Sequence, residues 1–284
     1  MRALAAFVMR GPVQAAVVAV LTASLPLLFW ISAAVVGLVI LRLGATTGLN
    51  IALWAALPAF GWLWVGQDPT SLVVLLETAA MALVLRRTVA WQWAMVCGIG
   101  LALLAGWLIP TLLPGLLQKL VATGTEFYRQ LNPEFAASLG DQLEPLVRSM
   151  MVGSMAASQL AIAVGCLALA RGWQAKLFNP GGLRKEFHGF RLDGPVCLAL
   201  VGAMVLLPQL GANAALSTMV LGLPLLIAGV ALIHGLVAAR GAGGIWLALF
   251  YVALLILGPS LMVLLVVIAI IDSWVDFRRR LSAQ

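Results

Sequence analysis

Apolar runs separated by short polar or basic stretches occupy nearly the whole chain. The first run, 13–41, has 29 residues. As one helix it would be about 43 Å long, against a bilayer hydrocarbon core of about 30 Å. Pro26 lies in its middle, where it removes a ladder hydrogen bond. The pattern predicts two short crossings, 13–27 and 28–42, with Arg42 at the returning end; a single tilted helix is the alternative. A third crossing is expected over 48–64, with Pro58 inside it, then a loop Gly66-Gln67-Asp68-Pro69 without basic residues. The fourth runs 70–85 and stops at Arg86-Arg87, and the fifth runs 91–109 with Trp91, Trp93 and Trp107 at its ends, where aromatic belts form.

The polar stretch 116–147 interrupts this alternation. Leu117, Leu120, Val121, Phe127, Tyr128 and Leu131 recur at helical spacing, predicting an amphipathic helix lying at the surface. Asn132-Pro133-Glu134 then reads as an N-cap, a first-turn proline and a first-turn acid, opening a short helix toward the sixth crossing at 150–170. The run RGWQAKLFNPGGLRKEFHGFRLD over 171–193 is the one long polar stretch that is strongly basic. In it Leu183, Phe187 and Phe190 share a face that Arg184, Lys185 and Arg191 do not, which predicts a helix on the inner membrane surface. Two further crossings, 194–210 and 218–239, turn near Gly211-Ala212-Asn213; 244–275 is again too long for one, and Gly258-Pro259 interrupts it.

Composition agrees with this reading. Of 284 residues, 63% are apolar and 10% charged, with mean hydropathy +1.08, where soluble domains carry about 25% charge. The net charge of +7 is a topology signal and implies no nucleic-acid partner. Arg2, Arg10, Arg42, Arg86, Arg87, Arg171, Lys176, Arg184, Lys185, Arg191, Arg240, Arg278, Arg279 and Arg280 fall on one side, 14 of the 17 basic residues; Lys119, Arg129 and Arg148 fall on the other. Basic loops stay cytoplasmic. The bias predicts a bacterial cytoplasmic (inner) membrane protein with both termini inside and anionic inner-leaflet lipid around it. The expected fold is all-α, a polytopic helical membrane protein of ten crossings, or eight if a short pair is re-entrant. It is one membrane domain: helices over 1–114, an external excursion over 115–147, a helix over 148–171, a basic cytoplasmic segment over 172–193 and helices over 194–284. The basic start with Met1, Arg2 and Arg10 is read as retained, because the apolar run that follows is too long for a signal peptide and lacks a convincing cleavage site.

Few residues carry chemistry. Glu77 lies mid-way along the fourth crossing, where a carboxylate is costly; it is expected to face the bundle interior in neutral form, as a functional group or bonded to a neighbouring helix. His234 is a ligand or proton group, or a satisfied interior histidine. Gln14, Asn50, Gln159, Gln209 and Asn213 are helix glue or ligand contacts. Ala15, Ala19 and Ala23 form a small-residue stripe, for packing within the chain or for docking a partner subunit. Arg184, Lys185 and Arg191, with Asp272 and Asp276 around Trp274, are candidates for local ion pairs or for contact with a soluble partner. Cys97, Cys166 and Cys197 are apolar-segment cysteines without metal spacing. No P-loop, HExxH or GxSxG is present, so ATP hydrolysis by a P-loop is excluded, and neither an enzyme nor a cofactor is expected.

Pro180-Gly181-Gly182, Glu186-Phe187-His188 and Phe190-Arg191-Leu192, with the segment Ile271-Asp272-Ser273-Trp274-Val275-Asp276-Phe277-Arg278, resemble the YybS-like family of uncharacterised bacterial polytopic membrane proteins. That family is distantly similar to the S components of energy-coupling-factor transporters, in which an Ala-xxx-Ala stripe on the first helix docks the coupling subunit. The resemblance implies a substrate-binding transport subunit working with separate partners, with Ala15, Ala19 and Ala23 matching the stripe; this chain has more crossings and a larger external excursion than that family. A structural or interaction protein of the envelope is the second expectation. A proton- or ion-coupled transporter that acts alone through Glu77 is the third.

Overall fold

The computed structural model describes residues 2–282, so Met1 of the basic start lies outside it. The chain is all-α: 88% of it is helical, without strands among the described residues. The apolar pattern dictates this, because a backbone in lipid must satisfy its hydrogen bonds within the segment. The chain is a multi-pass membrane protein.

The first long run is broken as its proline requires. Helices α1 (Arg2–Val8) and α2 (Pro12–Ala23) precede α3 (Phe29–Leu43), and Pro26 sits in the turn between α2 and α3. The single tilted helix is therefore not formed. Every residue from Ser32 to Leu41 is buried. A helix apolar on all sides belongs at the centre of a bundle, and α3 is packed by α2, by α4 (Ala45–Gly66), by α5 (Thr70–Thr88) and by the long α9 (Leu143–Phe178). α6 (Trp91–Leu112) closes this half against α5 and α9.

The excursion follows its pattern. α7 (Pro114–Leu131) buries Leu117, Val121 and Thr125 and packs along α9. Phe127 and Leu131, expected on the same face, are exposed. α8 (Pro133–Leu139) starts at Asn132, whose side-chain oxygen accepts from the Phe135 amide at 3.1 Å. α9 spans 36 residues, about 54 Å, so the sixth crossing is its middle and the helix extends beyond it at both ends.

The basic segment continues α9 to Phe178 and then forms α10 (Gly182–Gly189). α10 rests on α9 and α12, and Phe190 and Leu192 are buried at 7% and 1% exposure. Its apolar face thus covers the end of the bundle, where the sequence pattern alone placed it on lipid. α11 (Gly194–Gln209) and α12 (Ala214–Ala239) form the expected hairpin, and α10 and α11 meet at a 64° bend. α13 (Gly244–Leu257) and α14 (Pro259–Val275) split the last run, with Gly258 at φ +47°, a left-handed conformation that favours glycine. α15 (Phe277–Ser282) follows.

Among the described residues, four helices are long and apolar enough to cross on their own, or five if the bent α10–α11 pair is one span. α5 is long enough but carries Glu77, Arg86 and Arg87. α2, α3, α13 and α14 are shorter apolar helices and make up the two broken runs. The eight to ten crossings counted from the pattern include these short pieces.

Side-chain contacts divide the bundle into two ends. Arg86 donates from Nη1 to the Ile40 and Leu41 carbonyls at 3.0 and 2.7 Å, and Arg42 lies 4.2 Å from the Phe178 ring. With Arg171, Glu186, Arg191 and Arg278 these residues share one basic end. At the opposite end Trp62 Nε1 donates to the Ala23 carbonyl, and Ser149 Oγ donates to Asn213 Oδ1.

Candidate binding sites

α5 is tied down on both sides of Glu77. Asp68 Oδ1 accepts the Thr70 amide at 2.9 Å, and Thr78 Oγ1 donates to the Ala163 carbonyl of α9 at 3.4 Å. One turn further on, α6 presses close: a methyl at Gly98 would meet Leu160 Cδ1 at 2.7 Å and Met81 Sδ at 2.8 Å. Toward the opposite end α4, α5 and α6 leave a cavity of about 560 Å³, a ligand-sized volume. Its walls are Phe60, Leu63, Trp64, Leu72, Leu76, Leu101, Leu104 and Leu108; Gln67 and Glu77 are the polar residues lining it. Phe60 and Trp64 stack at 6.4 Å, and Trp64, Leu76 and Leu104 are exposed on the outer face of the bundle.

Glu77 is 1% exposed, and neither of its carboxyl oxygens has a hydrogen-bond partner among the described residues. Orphaned buried polar groups are rare and cost about 1–3 kcal/mol each. Ionised, the group would be costlier still; neutral, it retains a donor and an acceptor. Gln159 on α9 is equally buried, and both of its amide atoms lack partners.

The basic end is the reverse case. Glu186 pairs with Arg171 through Nη2, accepts from Arg171 Nε at 3.1 Å and accepts from Trp91 Nε1 at 3.0 Å. Gln92 and Asp193 exchange two hydrogen bonds, 2.6 and 3.1 Å. Asp272, 2% exposed, accepts from Arg278 Nη1 at 3.1 Å and from the Phe277 amide at 2.9 Å. Arg278 also donates to the Phe190 carbonyl at 3.0 Å, and Arg191 pairs with Asp276 at 3.5 Å. The segments 180–192 and 271–278 therefore meet. Arg191, Asp272 and Asp276 form local ion pairs, while Arg184 and Lys185 are exposed.

The remaining candidates separate. Ala15, Ala19 and Ala23 are 0–1% exposed, and α2 packs on α3 and α4. The stripe is filled by the chain's own helices and has no face left for a further one. Gln14 is half-buried beside Gly11, and Asn50 is exposed. Asn213 caps α12, accepting the Leu216 amide at 2.9 Å. His234 bonds Tyr251 Oη on α13 at 2.8 Å and stands 6.3 Å from the His188 ring. Burial, then Arg184 and Arg278, holds the His188 imidazole below its usual range. Cys166 donates from Sγ to the Trp30 carbonyl, and the cysteines are free thiols. Among the described residues no group of three His, Cys, Asp or Glu could hold a metal ion.

Sequence reasoning missed the Trp91–Glu186 and Gln92–Asp193 contacts and the Tyr251 partner of His234. A polar pair opening a crossing, and a tyrosine inside one, were the available signals. Compared with family models, curated proteins and solved structures, the chain has no match.

Proposed function

We propose that this chain binds a small apolar or amphipathic molecule bearing one hydrogen-bonding group in the Glu77 cavity, and that it works as a non-catalytic transport subunit with separate energy-coupling partners. Glu77 carries the reading: it is a buried carboxyl without a partner among the described residues, at the wall of a mainly apolar, ligand-sized cavity. The absent P-loop and the resemblance to S components support the need for partner subunits. The basic end is assigned to the cytoplasm of a bacterial inner-membrane protein on the asymmetry of its arginines and lysines. Because the Ala15, Ala19 and Ala23 stripe is filled within the chain, a coupling subunit would have to use another face.

The test is organic extraction and mass spectrometry of the protein purified in mild detergent, beside Glu77→Leu. A small molecule retained by the native chain and lost from a folded Glu77→Leu variant is the expected result. Equal retention by both, or none by the native chain across the membrane extracts tried, would overturn it. A second reading, an envelope interaction protein, is favoured by Phe127, Leu131 and Phe135, which lie exposed around the α7–α8 junction. It predicts that Phe127→Ser with Leu131→Ser removes a co-purifying protein while the bundle stays folded.

A further inference from the structure

α13 is loosely attached to the bundle. None of its 14 residues is buried, and its named polar tie to α12 is the His234–Tyr251 hydrogen bond. Helical spacing puts Gly244, Leu247 and Tyr251 on one face of α13 and Trp246, Leu249 and Ala253 on the other. A cavity lies against each face, about 550 Å³ on the first and about 630 Å³ on the second, and Val237 and Ala242 line both. Both are walled mainly by hydrocarbon.

Their polar residues gather at the basic end. Arg184, His188 and His234 line the first cavity, and Arg240 lines the second. Three acids of this end are paired with cations, Glu186 with Arg171, Asp272 with Arg278 and Asp276 with Arg191; Asp193 bonds the neutral Gln92 and keeps its charge. None of the four lines either cavity, so Arg184 and Arg240 set the charge of both mouths. Two adjoining apolar clefts, each with an arginine in its wall, have the form of a two-chain amphiphile with an anionic head.

We propose that the α12–α13 cleft binds an anionic phospholipid of the leaflet at the basic end, one acyl chain on each side of α13 and the phosphate at Arg184, His188 and Arg240. The site is separate from the Glu77 cavity and does not depend on it.

The full-length protein in neutral detergent would be titrated with phosphatidylglycerol or with phosphatidylcholine of the same acyl chains, and bound lipid counted by native mass spectrometry. Phosphatidylglycerol should stay bound and phosphatidylcholine should not. Arg184→Gln should weaken retention about fivefold, from about 1 kcal/mol per cation near an anionic head, and adding Arg240→Gln should weaken it further. Arg87→Gln, an exposed cation at the same end outside both cavities, should leave it unchanged and controls for net charge. Equal retention of the two lipids, an Arg87→Gln effect as large as that of Arg184→Gln, displacement of the lipid by millimolar inorganic phosphate, or a dimer that excludes the lipid would each overturn the proposal.

Discussion

Asp272 and Glu77 are buried almost equally, at 2% and 1% exposure, and the chain treats them in opposite ways. Asp272 receives a guanidinium and a backbone amide; Glu77 receives nothing from the described residues. Burial of an acid is therefore not in itself a sign of function. A paired acid is explained by the fold it joins, here the link between the end of α14 and the residues after α10. An unpaired one is left unexplained by the fold; Gln159 is unpaired too, and what sets Glu77 apart is the cavity that it lines. The comparison breaks most directly at Arg278. Arg278→Ala leaves Asp272 buried without its counter-charge and should cost about 3–5 kcal/mol, read as the loss in denaturant midpoint in detergent. Replacing both partners by apolar residues should recover most of that loss. Glu77→Leu should do the reverse, raising the stability of the ligand-free protein by up to about 3 kcal/mol because an orphaned polar group is removed. If Glu77→Leu destabilised as Arg278→Ala does, Glu77 would be part of the architecture.

The pairing at Asp272 depends on where α14 lies, and Gly229 sets that. A methyl at Gly229 would stand 2.5 Å from the Leu265 carbonyl oxygen, a backbone atom that cannot swing aside. Gly229→Ala should push α14 from α12 and cost about 2 kcal/mol, measured in the same unfolding experiment. The Glu77 cavity, built from α4, α5 and α6, should keep its ligand in this variant. Loss of ligand there would mean that the two regions are mechanically one.

Much of the fold was legible because apolar runs, prolines and glycines act locally. Pro26 and Gly258-Pro259 mark the breaks, and Asn132 caps the helix that its sequence announces. The role of the Ala15, Ala19 and Ala23 stripe was not legible. Small residues at a four-residue spacing say that another helix comes close, not whether it belongs to the same chain. The structure answers with α3 and α4. Likewise 171–193 reads as an amphipathic surface helix, because periodicity gives the apolar face of α10 but not whether lipid or protein covers it. Glu77 was visible as an acid at depth, but its lack of a partner was not, since α9, with Gln159, is distant from α5 in sequence and packs against it only after folding.

The smallest effect tests whether the comparison is graded by exposure. Glu186 is paired like Asp272, but its side chain is 31% exposed against 3% for Asp272. Water reaches it, so each of its partners should matter less. Trp91→Phe keeps the ring in place and removes only the Nε1 donor to Oε2, while Arg171 Nε still donates to the same oxygen at 3.1 Å. The carboxylate is left neither orphaned nor dry. The expected loss is about 1 kcal/mol, the ordinary net value of one hydrogen bond. It should shrink further in a variant that also lacks Arg171, where Glu186 can turn toward solvent. A loss close to that of Arg278→Ala would show that the Glu186 site is as closed to water as the Asp272 site, and pairing alone, without exposure, would then set the energetics of the basic end.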